Sequence, residues 1–177
     1  PLTVNPTGSA SVAYVLRISM SGGGPAPQQL TLTKTGNARI TATGSLSGSL
    51  DCGPTCTGLI GGTATISVTP DPDFQFLYWT DACTGQNSPT STPNTTCTLS
   101  MDSAKIAGAF SMRKRLITIQ KSGTGTGTVT GNAGIDCGVT CAVRTIAHVF
   151  LTAVPAPGSK FVRWSGGCSG TDIACTI

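Results

Sequence analysis

The chain has 177 residues and a formal net charge of +4, with 38% hydrophobic, 10% charged and 5% aromatic residues. Soluble globular domains carry about 25% charged residues, so this composition is unlike that of a cytosolic enzyme. The basic residues are dispersed except at 113–115, which we interpret as a solvated linker rather than a nucleic-acid site. No run approaches the roughly 18 apolar residues of a membrane-spanning helix, so no membrane insertion is expected.

The first 29 residues are predicted to be an N-terminal strand segment. The sequence begins at Pro1 without an initiator Met or a signal peptide, which predicts a processed or excised polypeptide. Within this segment the run Ser9–Val15 resembles the later run Ser103–Phe110 when a gap is allowed. We therefore expect both runs to be β-strands with the same structural role.

Two further segments, 30–112 and 113–177, are each predicted to be a small module of short β-strands. Glu is absent and Thr, Val and Gly are abundant, which disfavours helices, and no window shows a 3.6-residue apolar period. The expected fold class is all-β, with two tandem β-grasp-like or sandwich-like modules. Alternation of apolar and polar residues predicts strands at 30–33 and 64–69, and 147–154 is the more apolar counterpart of the second of these. Strands are also predicted at 74–79 and 160–164, which follow turn signals, and at 104–110.

The two modules are copies of one repeat. The sequence Asp-Cys-Gly-Pro-Thr-Cys that ends at Cys56 returns 85 residues later as Asp-Cys-Gly-Val-Thr-Cys, ending at Cys141. Trp79 follows Cys56 by 23 positions, and Trp164 follows Cys141 by the same 23. Spacing this regular does not arise by chance, so each repeat is expected to fold in the same way.

The eight cysteines predict disulfides and therefore an oxidising, extracellular compartment. Each repeat has one C-x-x-x-C pair and one later pair that flanks its final loop. In local pairing the two cysteines of each pair bond to each other, whereas in crossed pairing each cysteine of the first pair bonds to one of the second. Local pairing is favoured because the final loop spans 14 positions in one repeat and seven in the other. Four cysteines around zinc are a less favoured alternative, because the spacing is not that of a structural zinc site. The locally paired disulfides would be Cys52–Cys56, Cys83–Cys97, Cys137–Cys141 and Cys168–Cys175.

The combined pattern resembles the divergent internalin-type B-repeat family, whose small β-rich modules occur in tandem on bacterial surface and secreted proteins. The resemblance covers residues 30–177 and implies an extracellular, β-grasp-like spacer or adhesion module at the bacterial cell surface. The family implies no catalytic residues. The motifs that carry the resemblance are Lys121–Gly123, Ile135–Cys141, Trp164–Cys168 and Cys97–Lys105.

The second repeat is predicted to lack the closing strand that the first one has at 104–110. The first repeat continues past Cys97 into that strand, whereas the second stops at Cys175-Thr-Ile177. A sheet edge left open in this way accepts a strand from another chain. We therefore expect the N-terminal segment of one subunit to complete the second repeat of the next, which gives a head-to-tail homopolymer.

The contact between subunits is expected to involve apolar residues of the N-terminal segment, namely Leu2, Val4, Val12, Tyr14 and Leu16. Two alternatives stay open. The chain could be a piece of a longer array, in which neighbouring repeats of one polypeptide meet, or the segment could fold back on its own chain.

Three further residues are candidates for binding or modification. Trp79 and Trp164 stand at equivalent positions, where they are interpreted as core residues beside a disulfide, with stacking on a surface glycan as the alternative. Asn94 begins an Asn-Thr-Thr acceptor sequence for glycosylation. No cofactor, metal or catalytic residue is predicted, because the single histidine, His148, aligns with Thr63 and nothing pairs two carboxylates.

These observations favour a structural extracellular protein over an enzyme. The preferred hypothesis is a subunit of a pilus-like bacterial surface filament or stalk, assembled by β-strand complementation. The alternative is a carbohydrate-binding or spacer module of a secreted adhesin or hydrolase.

Overall fold

The computed structural model describes residues 25–87, 93–138 and 140–177, and this part of the chain is built from β-strands and one 3-10 turn at Thr84–Gln86. The predicted all-β class is confirmed. The predicted N-terminal strand, with Leu2, Val4, Val12, Tyr14 and Leu16, lies outside the described residues. No helix in the described ranges is long and apolar enough to cross a membrane.

The first repeat contains eight strands, which form two four-stranded sheets. The first sheet has the order β4-β1-β8-β6 and the second the order β3-β2-β5-β7. The strands are β1 (Gln28–Thr35), β2 (Ala38–Gly44), β3 (Ser49–Cys52), β4 (Thr55–Ile60), β5 (Thr63–Pro70), β6 (Phe74–Asp81), β7 (Thr96–Ser100) and β8 (Lys105–Arg113).

One hydrophobic core lies between these two sheets. Alternation along β1 turns Leu30 and Leu32 inward, where both are fully buried, and Ile40 and Ile66 meet them from the second sheet. Within the first sheet, β8 is parallel to β1 and antiparallel to β6. The predicted strands at 30–33, 64–69 and 74–79 fall within observed strands, and the one predicted at 104–110 begins one residue before β8, so these predictions are confirmed.

The second repeat contains six strands in the described residues. Its sheets are a two-stranded one, β12-β9, and a four-stranded one with the order β11-β10-β13-β14. The strands are β9 (Arg115–Gln120), β10 (Gly127–Gly131), β11 (Asp136–Cys137), β12 (Thr140–Thr145), β13 (Phe150–Pro155) and β14 (Ala174–Thr176). They correspond in order to β1, β2, β3, β4, β5 and β7, so β6 and β8 have no counterpart among the described strands.

The prediction of a strand at 160–164 is wrong. This segment is not part of a sheet, and its one backbone bridge joins Trp164 to Gly170. The physical reason is visible in the first repeat, where β6 is an edge strand whose neighbour in the sheet is β8. Without a strand at the position of β8, residues 160–164 have no ladder to join. The strand predicted at 147–154 is present but begins later, at Phe150.

The two repeats meet at a short junction. Lys114 alone separates β8 from β9, and its backbone N–H donates to the carbonyl of Asp73 at 2.8 Å. The Lys114 ammonium also donates to the carbonyl of Pro72, at 3.2 Å. Across the junction, the Arg144 guanidinium lies 3.3 Å from the Asp73 carboxylate. The turn before β6 therefore holds the start of the second repeat.

Candidate functional site in the second repeat

The closing strand β8 completes the core of the first repeat. It lies between β1 and β6, with Leu32 opposite Ala107 and Trp79 opposite Ala109. Both alanines are buried, at 0% and 3% exposure. Small side chains on the inner side of β8 allow the strand to pass close to the indole ring of Trp79.

The outer side of β8 is crowded at one position. A Cβ atom added to Gly108 would lie 2.1 Å from the Thr80 hydroxyl oxygen and 2.8 Å from that of Thr33. Two residues further along, the ring of Phe110 stacks on Tyr78, with ring centroids 4.9 Å apart. Side chains of β8 and its neighbours therefore make contacts on both sides of the sheet.

Without a counterpart of β8 among the described residues, three core positions of the second repeat are less completely covered than their equivalents, although Ile119, the counterpart of Leu32, is buried. Phe76 and Trp79 are 3% and 1% exposed, whereas their counterparts Phe161 and Trp164 are only half-buried. Likewise Leu30 is fully buried but its counterpart Ile117 is half-buried. Each of these positions lies on β1, on β6 or on their counterparts, beside the place that β8 occupies.

The relative placement of the two aromatic rings is nevertheless the same in both repeats. The ring centroids of Phe76 and Trp79 lie 5.1 Å apart with an interplanar angle of 59°. Those of Phe161 and Trp164 also lie 5.1 Å apart, at 53°. The second repeat thus keeps the aromatic pair of the core but not the strand that covers it.

The edge of β9 is where this cover is missing. One edge of β9 pairs with β12, from Thr140 opposite Gln120 to Thr145 opposite Arg115. Along its other edge, no strand of the described residues pairs with it. We refer to this edge, together with Ile117, Phe161 and Trp164, as the acceptor edge.

The indole N–H groups of Trp79 and Trp164 also differ, because only one of them has a hydrogen-bond partner among the described residues. The indole N–H of Trp79 donates to the backbone carbonyl of Asn94 at 2.7 Å, and the Asn87 side chain bonds both backbone groups of Trp79. In the second repeat the loop from Cys168 to Cys175 is shorter, and the buried indole N–H of Trp164 has no hydrogen-bond partner among the described residues. A buried donor without an acceptor is destabilising by about 1–3 kcal/mol.

Two equivalent glycines, Gly36 and Gly123, differ in the same way in what lies next to them. Gly36 has φ of +83°, and a Cβ atom there would lie 2.1 Å from the carbonyl oxygen of Ser111 on β8. Its counterpart Gly123 has φ of +93° but has nothing within 4 Å of a built Cβ atom. Both turns need glycine for the left-handed backbone, and only the first also needs it to leave room for a strand.

All eight cysteines are in disulfides, and the pairs are those of the local alternative. The structure joins Cys52 to Cys56, Cys83 to Cys97, Cys137 to Cys141 and Cys168 to Cys175. The crossed pairing is not observed. Each C-x-x-x-C disulfide links two sequential strands, β3 to β4 and β11 to β12, which belong to different sheets.

Of the other candidate residues, Trp79, Asn94 and His148 lie outside the acceptor edge. Trp79 is 1% exposed, so its ring is closed to a sugar, whereas Trp164 is half-buried. Asn94 is exposed, and its side-chain oxygen accepts hydrogen bonds from the Thr96 N–H at 3.2 Å and hydroxyl at 2.9 Å. His148 is exposed before β13.

Sequence reasoning missed two features. The parallel pairing of β1 with β8 joins strands from opposite ends of the repeat, and the ion pair of Asp73 with Arg144 joins two repeats. One indication of the ion pair was present in the sequence. The counterpart of Asp73 is Gly158, so the repeat itself does not require an acidic side chain at this position.

Comparison with known protein families gives the same two repeats. The model of the divergent InlB B-repeat domain matches residues 28–111 and 117–177, which together make up most of the chain. The chain belongs to this family. B-repeat domains are structural repeats of bacterial surface proteins, so an extracellular location accords with the four disulfides. No curated protein and no solved structure matched the chain.

Proposed function

We propose that this B-repeat protein is a structural subunit of an extracellular fibre or stalk, in which subunits join head to tail by β-strand complementation. The observation that supports the proposal is the difference in burial between equivalent core residues. Trp79 is 1% exposed beside β8, whereas Trp164 is half-buried beside the acceptor edge. The second repeat has the binding surface for a closing strand but no such strand among the described residues.

An incoming strand would be stabilised in two ways. Its backbone would pair with the free N–H and C=O groups along β9, which is the usual basis of β-strand addition. Its inner side chains would also cover Ile117, Phe161 and Trp164. Complete burial of a side chain of this size contributes roughly 1.5–3 kcal/mol, so covering three of them offsets much of the entropy lost on association.

Strand exchange between subunits fits the topology better than self-completion. Because Thr35 lies opposite Phe110, β1 starts level with residue 103, about 36 Å from the junction at Lys114. A strand parallel to β9 would end about 20 Å beyond that junction. Nine residues, 19–27, would have to connect these two ends, and they span at most about 32 Å. Because a single residue, Lys114, separates β8 from β9, the second repeat has little freedom to fold back against the first. Between subunits the same nine residues need only lead into the next repeat.

A contact between the start of one subunit and the end of another is heterologous. Such contacts produce open polymers unless the rotation between subunits closes a ring. The proposal therefore predicts fibres whose repeating unit is one subunit, with alternating junctions inside and between subunits.

The test compares the full chain with a variant in which residues 1–20 are replaced by a Gly-Ser sequence of equal length. Assembly is measured by sedimentation and negative-stain electron microscopy at matched concentrations. The full chain is expected to form fibres and the replacement variant to stay monomeric with an unchanged circular dichroism spectrum. As a control, Asn94→Gln alters the exposed loop of the first repeat and should assemble like the full chain. Fibres of normal length from the replacement variant would refute the proposal.

A further inference from the structure

We infer that the first repeat is a tension-resisting module, in which the parallel pair of β1 and β8 bears force applied along the chain. The chain enters this repeat at the start of β1 and leaves it at the end of β8, where Lys114 leads into the second repeat. Tension on the polypeptide therefore acts first on these two strands. The inference does not depend on strand complementation between subunits, because any pull on the two ends of the repeat acts on the same pair.

The two points at which force is applied lie at opposite ends of the pair. The register places Leu30 opposite Lys105, so Gln28 is level with Ser103. Arg113, the last residue of β8, lies ten residues beyond Ser103 in the same direction, a distance of about 33 Å. Forces on Gln28 and Arg113 are therefore directed along the strands and away from each other. All six residue pairs of the ladder share this force, and they separate together rather than one after another.

Neither strand can be pulled out by breaking a single ladder. Strand β1 lies between β4 and β8, with six residue pairs on each side. Strand β8 lies between β1 and β6, and seven residue pairs join it to β6. Removal of either strand therefore breaks two ladders at once.

The ladder between β1 and β8 is shielded from water on both faces of the sheet. On the inner face the paired residues Leu32 and Ala107 are both 0% exposed. On the outer face Gly108 is buried beside the hydroxyl groups of Thr33 and Thr80. Because water competes for backbone N–H and C=O groups, its exclusion keeps these hydrogen bonds from being replaced while the strands are under force.

The disulfides of the first repeat limit how far it can extend without joining β1 to β8. Cys52–Cys56 and Cys83–Cys97 both lie between these strands in the sequence. Of the 85 residue steps from Gln28 to Arg113, the two bonds withhold 18, because their separations are 4 and 14. After the pair breaks, the repeat can therefore lengthen by about 220 Å with its disulfides intact and by about 270 Å when they are reduced.

Pulling the first repeat in two directions tests the inference. The full chain is held in an atomic force microscope through reactive unnatural amino acids at residues 27 and 113, or at residues 27 and 103, all of which are exposed. The first geometry shears the pair of β1 and β8, whereas the second opens it from one end. The rupture force is expected to be higher in the first geometry by about twofold or more, because six residue pairs bear the force together rather than one at a time. Equal forces in the two geometries would overturn the inference.

Reduction of the disulfides identifies the event that is measured. In the first geometry, reductant is expected to increase the length gained after rupture by about 50 Å, because 18 more residue steps become free to extend. The higher rupture force of this geometry is expected to remain, since neither disulfide joins β1 to β8. Loss of the difference between the two geometries on reduction would show that the disulfides, rather than the paired strands, bear the force.

Two matched core variants separate resistance to force from overall stability. Leu32 lies on β1 opposite β8, whereas Ile66 lies on β5 in the other sheet, and both side chains are fully buried. Leu32→Ala and Ile66→Ala remove similar volumes, so both are expected to lower the urea midpoint by similar amounts. Only Leu32→Ala is expected to lower the rupture force between residues 27 and 113, because forced unfolding depends on the barrier rather than on the equilibrium stability. Equal losses of rupture force would contradict the inference. Fibre assembly is measured separately, so this result leaves the proposed function untouched.

Discussion

The two repeats of this chain share a sequence pattern and the same disulfide arrangement, and they differ in how completely their cores are covered. In the first repeat β8 separates β1 from β6, and the aromatic pair beneath it is buried. In the second repeat residues 160–164 keep an aromatic pair of almost the same geometry without forming a strand. One strand thus decides both the burial of the core and the secondary structure of the segment beside it.

The comparison also shows that the aromatic pair does not depend on the closing strand for its arrangement. The local turn, the disulfide and the chain around Trp164 hold it in place, and the backbone N–H of Trp164 donates to the carbonyl of Gly170 at 2.8 Å. The aromatic pair of the second repeat is therefore held in place without a closing strand among the described residues. A preorganised surface loses less conformational entropy on binding than a disordered one.

Replacement of the two tryptophans should give the largest difference between the repeats. Trp79→Ala removes a fully buried side chain and is expected to lower the free energy of unfolding by about 3–5 kcal/mol. Trp164→Ala removes a half-buried ring and should be clearly less destabilising in the monomer. Urea unfolding followed by circular dichroism measures both variants. Equal destabilisation would mean that the two cores are equally covered in solution.

Removal of the loop disulfides should have the next largest effect. On the chain-entropy model, Cys83→Ala/Cys97→Ala opens a 14-residue loop and is expected to be destabilising by about 3 kcal/mol, against about 2.4 kcal/mol for the seven-residue loop of Cys168→Ala/Cys175→Ala. Differential scanning calorimetry gives both values.

The same two disulfides should also differ in how readily they are reduced. Cys83 and Cys97 are both 0% exposed, whereas Cys175 is half-buried. Limited reduction followed by alkylation and mass spectrometry should label Cys175 before Cys97. Labelling in the reverse order would show that the first repeat opens more readily than the second.

The glycine pair should show a smaller difference. Ala at either position adopts an unfavourable left-handed backbone, which is destabilising by roughly 1–2 kcal/mol. Gly36→Ala also places a Cβ atom against the backbone of β8, so we expect an additional loss of about 1 kcal/mol or more relative to Gly123→Ala. Thermal denaturation of the monomeric variants measures this difference. It should disappear if β8 is not paired with β1 in solution.

The smallest effect is expected from an exposed ion pair of the first repeat. The Arg39 guanidinium donates to the Asp51 carboxylate, and this hydrogen bond holds the pKa of Asp51 below its ordinary value. Because the pKa is lowered in the folded state, the pair stabilises the fold above the unfolded pKa of about 4 and loses this contribution as the pH falls through the folded pKa.

Asp51→Asn should therefore lower the melting temperature slightly at neutral pH, and the difference from the wild type should vanish in acid. Asp136→Asn is the matched control, because Asp136 is the counterpart of Asp51 and has no ion pair among the described residues. A pH-independent difference for Asp51→Asn would contradict a role for the carboxylate charge.

Much of the fold could be predicted because its signals are local. Alternation at Leu30–Thr33 correctly predicted a strand, and the equal spacing of Trp79 and Trp164 after each C-x-x-x-C pair indicated the repeat. The strand at 160–164 was predicted wrongly for a physical reason. Its sequence suits a strand, but an edge strand forms only when a neighbour supplies the ladder, and that neighbour is distant in the sequence.

Residue types and their spacing were enough to predict the β-rich class, the duplication and the positions at which each repeat places its cysteines and tryptophans. These features depend on residue type and spacing, which are the same in any context. The parallel pairing of β8 with β1 became visible only in the three-dimensional structure, as did the partial exposure of Ile117, Phe161 and Trp164, where the described residues hold no such strand. Burial is a property of what lies opposite a side chain, and in a sheet that partner comes from another part of the chain.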